Sequence, residues 1–196
     1  MNENRVMSTE EVRVGKPDRK SFRLVPRYPV TIVLDGIKSA SNLGNIFRLA
    51  DAFRVEKVWI CGCSETRVVD VVSQNSVSLI STKKFRKSAF GIERWVPWSA
   101  HFNAGELLTQ LKTEGHSLVS VELTNGATSL DEFEFKTPLV LVFGHEQRGV
   151  SEAVQSFCDE SVFIPMQGMG NSINLATCVG IALYAVLPFC ALKGEE

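Results

Sequence analysis

Two hydrophobic rhythms alternate along this chain. Largely apolar runs rich in β-branched residues fall at 30–34 (VTIVL), 57–61 (KVWIC), 117–121 (SLVSV) and 138–143 (PLVLVF). Such runs predict strands buried on both faces. A further strand ends at 162–164 (VFI), where Pro165 stops it because a residue without an N–H cannot continue a central ladder. Between the strands the period lengthens. Ile46, Leu49, Ala50 and Phe53 follow the i, i+3, i+4, i+7 rule and predict a helix entered through a polar, small-residue loop at 39–44. Arg48 points nearly opposite to that face. Leu107, Leu108 and Leu111 mark a second helix over 104–114, ended by Gly115, and Ser151 opens a short third. A last apolar helix begins at about Ile173, with Asn171 or Ser172 as its cap. Strand and helix alternate throughout. The expected class is therefore α/β, a mostly parallel sheet of about five or six strands flanked by helices. Residues 30–61 form one βαβ unit with a right-handed crossover. Periodicity leaves 68–72 open between helix and strand. The acidic segment 130–135 reads as peripheral, and 95–98 (WVPW) as a packed corner.

With 196 residues and 44% hydrophobic content, the chain makes one domain with a tail. The division expected is a basic N-terminal arm, 1–27, and a domain over 28–196. In the arm Arg13, Lys16, Arg19, Lys20, Arg23 and Arg27 stand against Glu11 and Asp18, which suits either a solvated tail or contact with phosphates. Net charge is −1, so a nucleic-acid partner has to be served by a local basic patch. Five scattered cysteines, with Cys61 and Cys63 the one close pair, lack zinc-finger spacing. Reduced thiols, no metal site and a cytoplasmic location are expected, and the polar N-terminus does not read as a secretory signal. Residues 175–192 carry no charge and approach the length of a membrane span. Pro188 interrupts the run, and a helix apolar all round also suits packing between its own sheet and a second subunit, which is the expectation here.

Chemistry-bearing residues gather in three loops. Each follows the carboxyl end of an expected buried strand: 42–48, 144–149 and 164–174. That rim is where ligands sit in open parallel sheets. Gly168 and Gly170 have no β-carbon to hold a ligand off the backbone, and free N–H groups at a helix start suit a nucleotide-like ligand. Asn42, Arg48, His145, Glu146, Arg148, Ser172 and Asn174 are the polar residues of these loops. Each alone suits ordinary capping or a surface charge; together they favour one site. Residues 82–88 (TKKFRKS) add four basic side chains around an aromatic. That is either a solvated turn or, if the ring is exposed, a place for single-stranded RNA.

The three loops resemble the three signature motifs of the SpoU (TrmH-like) RNA ribose 2′-O-methyltransferases of the SPOUT superfamily. Asn42-Leu-Gly44-Asn-Ile-Phe-Arg48 matches the family's Asn-x-Gly-x-x-x-Arg. Phe143-Gly144-His-Glu146-Gln-Arg-Gly149 matches a strand followed by Gly-x-Glu-x-x-Gly. Ile164-Pro-Met166, with Ser172-Ile-Asn174-Leu-Ala176, matches Ile-Pro-Met, a Gly-rich loop and Ser-Leu-Asn-Val-Ser. Order and spacing agree over roughly residues 28–190. Ala176 departs from the family's usual Ser, and the separate N-terminal RNA-binding domain of many relatives is matched here only by the short arm.

The resemblance implies a C-terminal deep trefoil knot, a homodimer packed through the last helix, and methyl transfer from S-adenosylmethionine to a ribose 2′-hydroxyl of RNA. A tRNA guanosine is the first expectation and an rRNA nucleotide the alternative; DNA is not expected. It implies catalytic roles for Arg48, Asn42, Glu146, Ser172 and Asn174. The cofactor would be held by Phe143, Gly144, Ile164, Met166, Gly168 and Leu175. Arg48 either has its proton shifted by the site and a nearby phosphate, or stabilises the developing alkoxide while another group takes the proton. Two other classes compete. One is a non-catalytic RNA-binding member of the fold, which the intact motif residues argue against. The other is a nucleotide-binding α/β protein, disfavoured because neither Gly-x-Gly-x-x-Gly nor Gly-Lys-Ser/Thr is present where it would be needed.

Overall fold

The structure is a computed structural model describing residues 6–14, 16–22, 24–61 and 79–190. Arg23, Cys63, segment 68–72 and the end of the uncharged run lie outside these residues. In chain order the elements are the short helices α1 (Thr9–Arg13) and α2 (Arg19–Phe22), then β1 (Tyr28–Asp35), α3 (Ala40–Ala52) and β2 (Val55–Cys61). There follow α4 (Lys83–Ala89), β3 (Trp98–His101), α5 (Ala104–Thr113), β4 (Ser117–Val121), β5 (Thr128–Ser129) and β6 (Leu139–Phe143). The last are α6 (Glu152–Gln155), β7 (Glu160–Phe163) and α7 (Leu175–Val186).

The strands form one seven-stranded sheet in the order β3-β2-β1-β6-β4-β7-β5, with every pair parallel. From β1 the chain first builds outward through β2 and β3, then crosses to build the other half. The switch lies between β1 and β6, whose ends are in register at Leu34 and Phe143. The loops leaving these two strands therefore start side by side, the usual place for a crevice in an open parallel sheet.

Strand burial explains the apolar runs. Ile32, Leu34, Leu139, Leu141, Phe143, Val119 and Val121 face the core under α3, α4 and α7. The alternate residues Val33, Val140, Val142 and Leu118 face a second core under α5 and α6. Since successive side chains of a strand point to opposite faces, a sheet covered on both sides needs apolar residues at every position. The edge strands β3 and β5 are the two beyond the five strands located in the sequence. The four residues of β3 are only half-buried, and β5 has two residues.

Four local expectations are corrected. Residues 40–44 are not a loop, because Ser39 caps α3 through the Asn42 N–H and the helix already runs from Ala40. Helix α7 is capped by Asn174, not by Asn171 or Ser172. Segment 130–135 is not peripheral throughout, since Leu130 and Phe135 are buried in the larger core. The basic stretch is a helix capped by Thr82, and its Phe85 is fully buried against Phe47, the ring centroids 5.5 Å apart. The expected corner holds: Val96 is buried and Trp98 packs edge-on to Phe47 at 6.1 Å. In the arm, Arg27 turns inward and donates to the carbonyls of Val55 (2.9 Å) and Trp95 (2.5 Å), so it is a tether and not a phosphate contact.

Helices α3 and α4 touch through Gly44. A β-carbon there would lie 2.1 Å from Ser88 Oγ, 2.8 Å from Ala89 N and 2.9 Å from Phe85 O. Two of these are backbone atoms that cannot swing aside. Gly44→Ala should therefore destabilise the fold by about 1–3 kcal/mol or more, whereas Gly168→Ala, with nothing within 4 Å, should stay within about 0.5 kcal/mol. Urea titration of both variants checks this.

Candidate active site

The three loops meet through side chains. Glu146, in the loop after β6, accepts from the Ser39 N–H (2.9 Å), the Lys38 N–H (3.3 Å) and the Asn42 Nδ2–H (3.2 Å). Its carboxylate thus sits at the start of α3, where unpaired amides and the helix dipole favour negative charge. Asn42 Oδ1 then accepts from Asn174 Nδ2–H at 2.9 Å. Asn174 Oδ1 in turn accepts from the N–H groups of Ala176 (2.9 Å) and Thr177 (3.4 Å) and so caps α7. One chain of hydrogen bonds runs from the second motif through the first into the third. Burial pushes the Glu146 carboxyl up, but backbone N–H groups at Glu146, Ser39 and Lys38, with the Asn42 amide, outweigh it and hold the carboxyl below its ordinary value.

A cavity of about 570 Å³ opens beside this chain. Its walls come from the ends of β4 (Val121, then Glu122 and Leu123), the loop Gly144–Gly149, the run from Phe163 through Ile164 to Met166, and the start of α7 (Leu175, Cys178). Ser172 also lines it. The loop after β6 is closed on itself: His145 N–H donates to Gly149 O at 3.0 Å, and Gly149 N–H returns to His145 O at 2.8 Å. Gly149 is in the left-handed region at φ 66°, and a β-carbon on Gly144 would strike Gly149 and Val150 backbone at 2.0–2.2 Å. Both glycines are thus required by the tightness of the turn.

Glu122 is the residue sequence reasoning missed. It lines the cavity and accepts from the Val150 N–H at 3.0 Å and the Leu123 N–H at 3.1 Å, tying the end of β4 to the far side of the loop. The one available signal was its position directly after a buried strand.

Of the residues expected to hold a cofactor, Gly144, Ile164, Met166 and Leu175 line the cavity. Phe143 is buried in the core below it, and Gly168 is exposed and outside its lining. Of the expected catalytic residues, Glu146 and Ser172 line this cavity, and Asn42 lies buried behind them. Arg48 does not reach it. It lines a second concavity between α3 and α7, with Asn45, Leu49, Phe53, Asn174 and Tyr184 among its neighbours. Its guanidinium lies 5.1 Å from the centre of the exposed Phe90 ring. Asn174, at the head of α7, belongs to this second concavity, while Ser172 belongs to the first. The start of α7 is the wall between the two.

The SpoU rRNA Methylase family model matches residues 29–184. The chain belongs to that family. A Staphylococcus epidermidis protein assigned to the TrmH family of tRNA/rRNA methyltransferases is 32% identical over 160 residues, which is 82% of this chain and 59% of that protein. This SpoU-family chain thus spans about three fifths of the length of such curated relatives. The crystal structure of the A. aeolicus TrmH/SpoU tRNA modifying enzyme superposes with a TM-score of 0.72 at 26% identity, covering 87% of this chain and 81% of that one. The AdoMet-bound rRNA methyltransferase from Sinorhizobium meliloti, at 23% identity and a TM-score of 0.69 over 87% of this chain and 61% of that one, shares the fold.

Because the folded Glu146 carboxyl titrates below its ordinary value of 4.5, its bonds stabilise the protein above that range and fade as pH falls through the folded value. The melting temperature of the wild type should therefore exceed that of Glu146→Gln near neutrality. The gap should narrow as pH is lowered from about 4.5, as read by calorimetry across a pH series.

Proposed function

We propose that this chain is an S-adenosylmethionine-dependent RNA methyltransferase that places a methyl on a ribose 2′-hydroxyl, with tRNA as substrate and a guanosine as the first position to examine. The observation that carries the proposal is the hydrogen-bond chain Glu146–Asn42–Asn174, which joins all three family motifs beside one cavity. Family membership supports the reaction class. The tRNA-modifying and AdoMet-bound fold neighbours support the substrate and the cofactor.

The cavity fits the cofactor. Its volume lies in the range of small-molecule sites. Phe163, Ile164, Ile173 and Leu175 offer apolar walls for an adenine, while Glu122, Glu146 and Ser172 offer polar ends. S-adenosylmethionine, when bound, supplies a methyl already activated on a sulfonium. The chain's own residues have the remaining work. The Gly144–Gly149 turn presents backbone at close range, and the apolar walls exclude water. Asn42 holds the head of α7 in place through Asn174. Arg48 stabilises the negative charge that develops on the 2′-oxygen, whose proton passes to solvent water, since a guanidinium does not serve as a base near neutrality. Because Arg48 and the cavity lie on either side of the α7 start, the ribose has to bridge past Asn174. The family's trefoil crossing belongs to the same proposal, where residues 163–173 meet residues 144–149. So does a homodimer through α7: Ile181 and Tyr184 are exposed on the same concavity as Leu49 and Phe53, a face that a second copy would cover. Residues 1–27 are proposed as an arm separate from the domain over 28–196.

Two measurements test this reading. S-adenosylmethionine should raise the melting temperature while ATP and NAD do not, and labelled methyl should pass to unmodified tRNA with the position mapped afterwards; label in rRNA alone would reassign the substrate. Arg48→Ala should lower methyl transfer by about 100-fold or more with cofactor binding retained. Retained turnover would remove Arg48 from the mechanism.

A further inference from the structure

Helix α4 and the residue that ends it have no place in the chemistry described so far. The helix exposes Lys83, Lys84, Arg86 and Lys87 and carries no acidic side chain. Lys83 and Lys84 occupy the first turn, where the dipole disfavours positive charge. Helix stability does not ask for them there; a field aimed at a polyanion does. The chain then leaves the helix through Phe90 in the left-handed region, at φ 53° and ψ 29°, followed by Gly91 at φ 79°. Left-handed backbone is unfavourable for a bulky L-residue, and such strain is found where the surroundings or function hold it. Here the strained turn brings no burial, since Phe90 remains 74% exposed. Its ring carries the guanidinium of Arg48. Because α3 and α4 pack closely at Gly44, ring, guanidinium and basic helix stand side by side on one surface.

We propose that Phe90, with Arg48 beside it and the basic face of α4 alongside, is a stacking platform for an unpaired RNA base. It would hold a nucleotide neighbouring the one that is methylated. The inference rests on the reading of the chain as an RNA methyltransferase and adds the form of RNA it takes, single-stranded at the site. An aromatic face accepts any base, and the lysines and arginine follow the backbone without reading sequence. Duplex RNA, its bases stacked inside, gains only the charge. Phe90 is a binding residue of this surface and not a catalytic one.

The probes are a labelled single-stranded oligouridylate, a duplex RNA of equal length and unmodified tRNA, titrated against the full chain at several salt concentrations. The single strand should bind more tightly than the duplex. Phe90→Ala should weaken single-strand binding roughly tenfold or more and Phe90→Trp should restore it, while duplex binding changes little. Changing Lys83, Lys84, Arg86 and Lys87 together to Gln should lower the salt slope by up to about 3. S-adenosylmethionine binding and oligomeric state, by calorimetry and light scattering, should be the same in all variants. Unchanged single-strand binding by Phe90→Ala would overturn the proposal. So would a change of oligomeric state in that variant, since it would show the ring covered by a second copy. If the wild type binds no S-adenosylmethionine yet shows the Phe90 effect on RNA, the platform stands and the methyltransferase reading falls.

Discussion

The site depends on an amide that bonds in two directions. Asn42 gives its N–H to Glu146 and takes one from Asn174, so loops separated by more than 100 residues of sequence are fixed to each other by hydrogen bonds of 3.2 and 2.9 Å. A buried amide such as that of Asn42 is costly to leave unpaired. Its side chain carries a donor and an acceptor on one planar group and so satisfies both neighbours at once. An aspartate in its place would offer acceptors alone and face the Glu146 carboxylate. The constraint therefore selects residue type and not merely polarity.

The sheet makes that constraint possible. Because strand order reverses between β1 and β6, the loops after them emerge together, and β4 alone stands between β6 and β7, which lie two strand spacings, about 10 Å, apart. The segment after β7 crosses back over the ends of β4 and β6, and α7 begins beside Asn42. Glu122, at the end of the intervening β4, fills the position between and pins the loop from the other side. What looks like four separate loop ends is one cross-braced rim.

The parts of this arrangement that could be read from the sequence share a physical cause. Strands β1, β2, β4 and β6 were legible because a sheet covered on both faces needs apolar side chains at every position. Strands β3 and β5 were not, since an edge strand half in solvent has no such run. The cap of α7 was misplaced because Asn171, Ser172 and Asn174 are all good caps, and the choice among them is made by Asn42, far away in sequence. Phe85 looked like an aromatic set among charges until its helical spacing from Ala89 put both on the buried face. Glu122 carried only a weak signal, its place directly after a buried strand, because its role lies in where β4 ends. Arg48 was placed in the right neighbourhood but on the outer side of the α7 wall. Periodicity gives the direction of a side chain from its own helix, but not which of two adjacent hollows it enters.

The floor of the cavity holds a thiol. Cys178 lines it, and burial, with the charge of Glu122, pushes that thiol up to about 11. Sulfur reacts with carbon electrophiles as the thiolate, and at neutral pH a group of that acidity is ionised in about one molecule in ten thousand. With the proposed sulfonium donor in this cavity, the protein would thereby be spared from alkylating its own cysteine. The same suppression would make Cys178 a poor handle for covalent inhibitors aimed at this chamber.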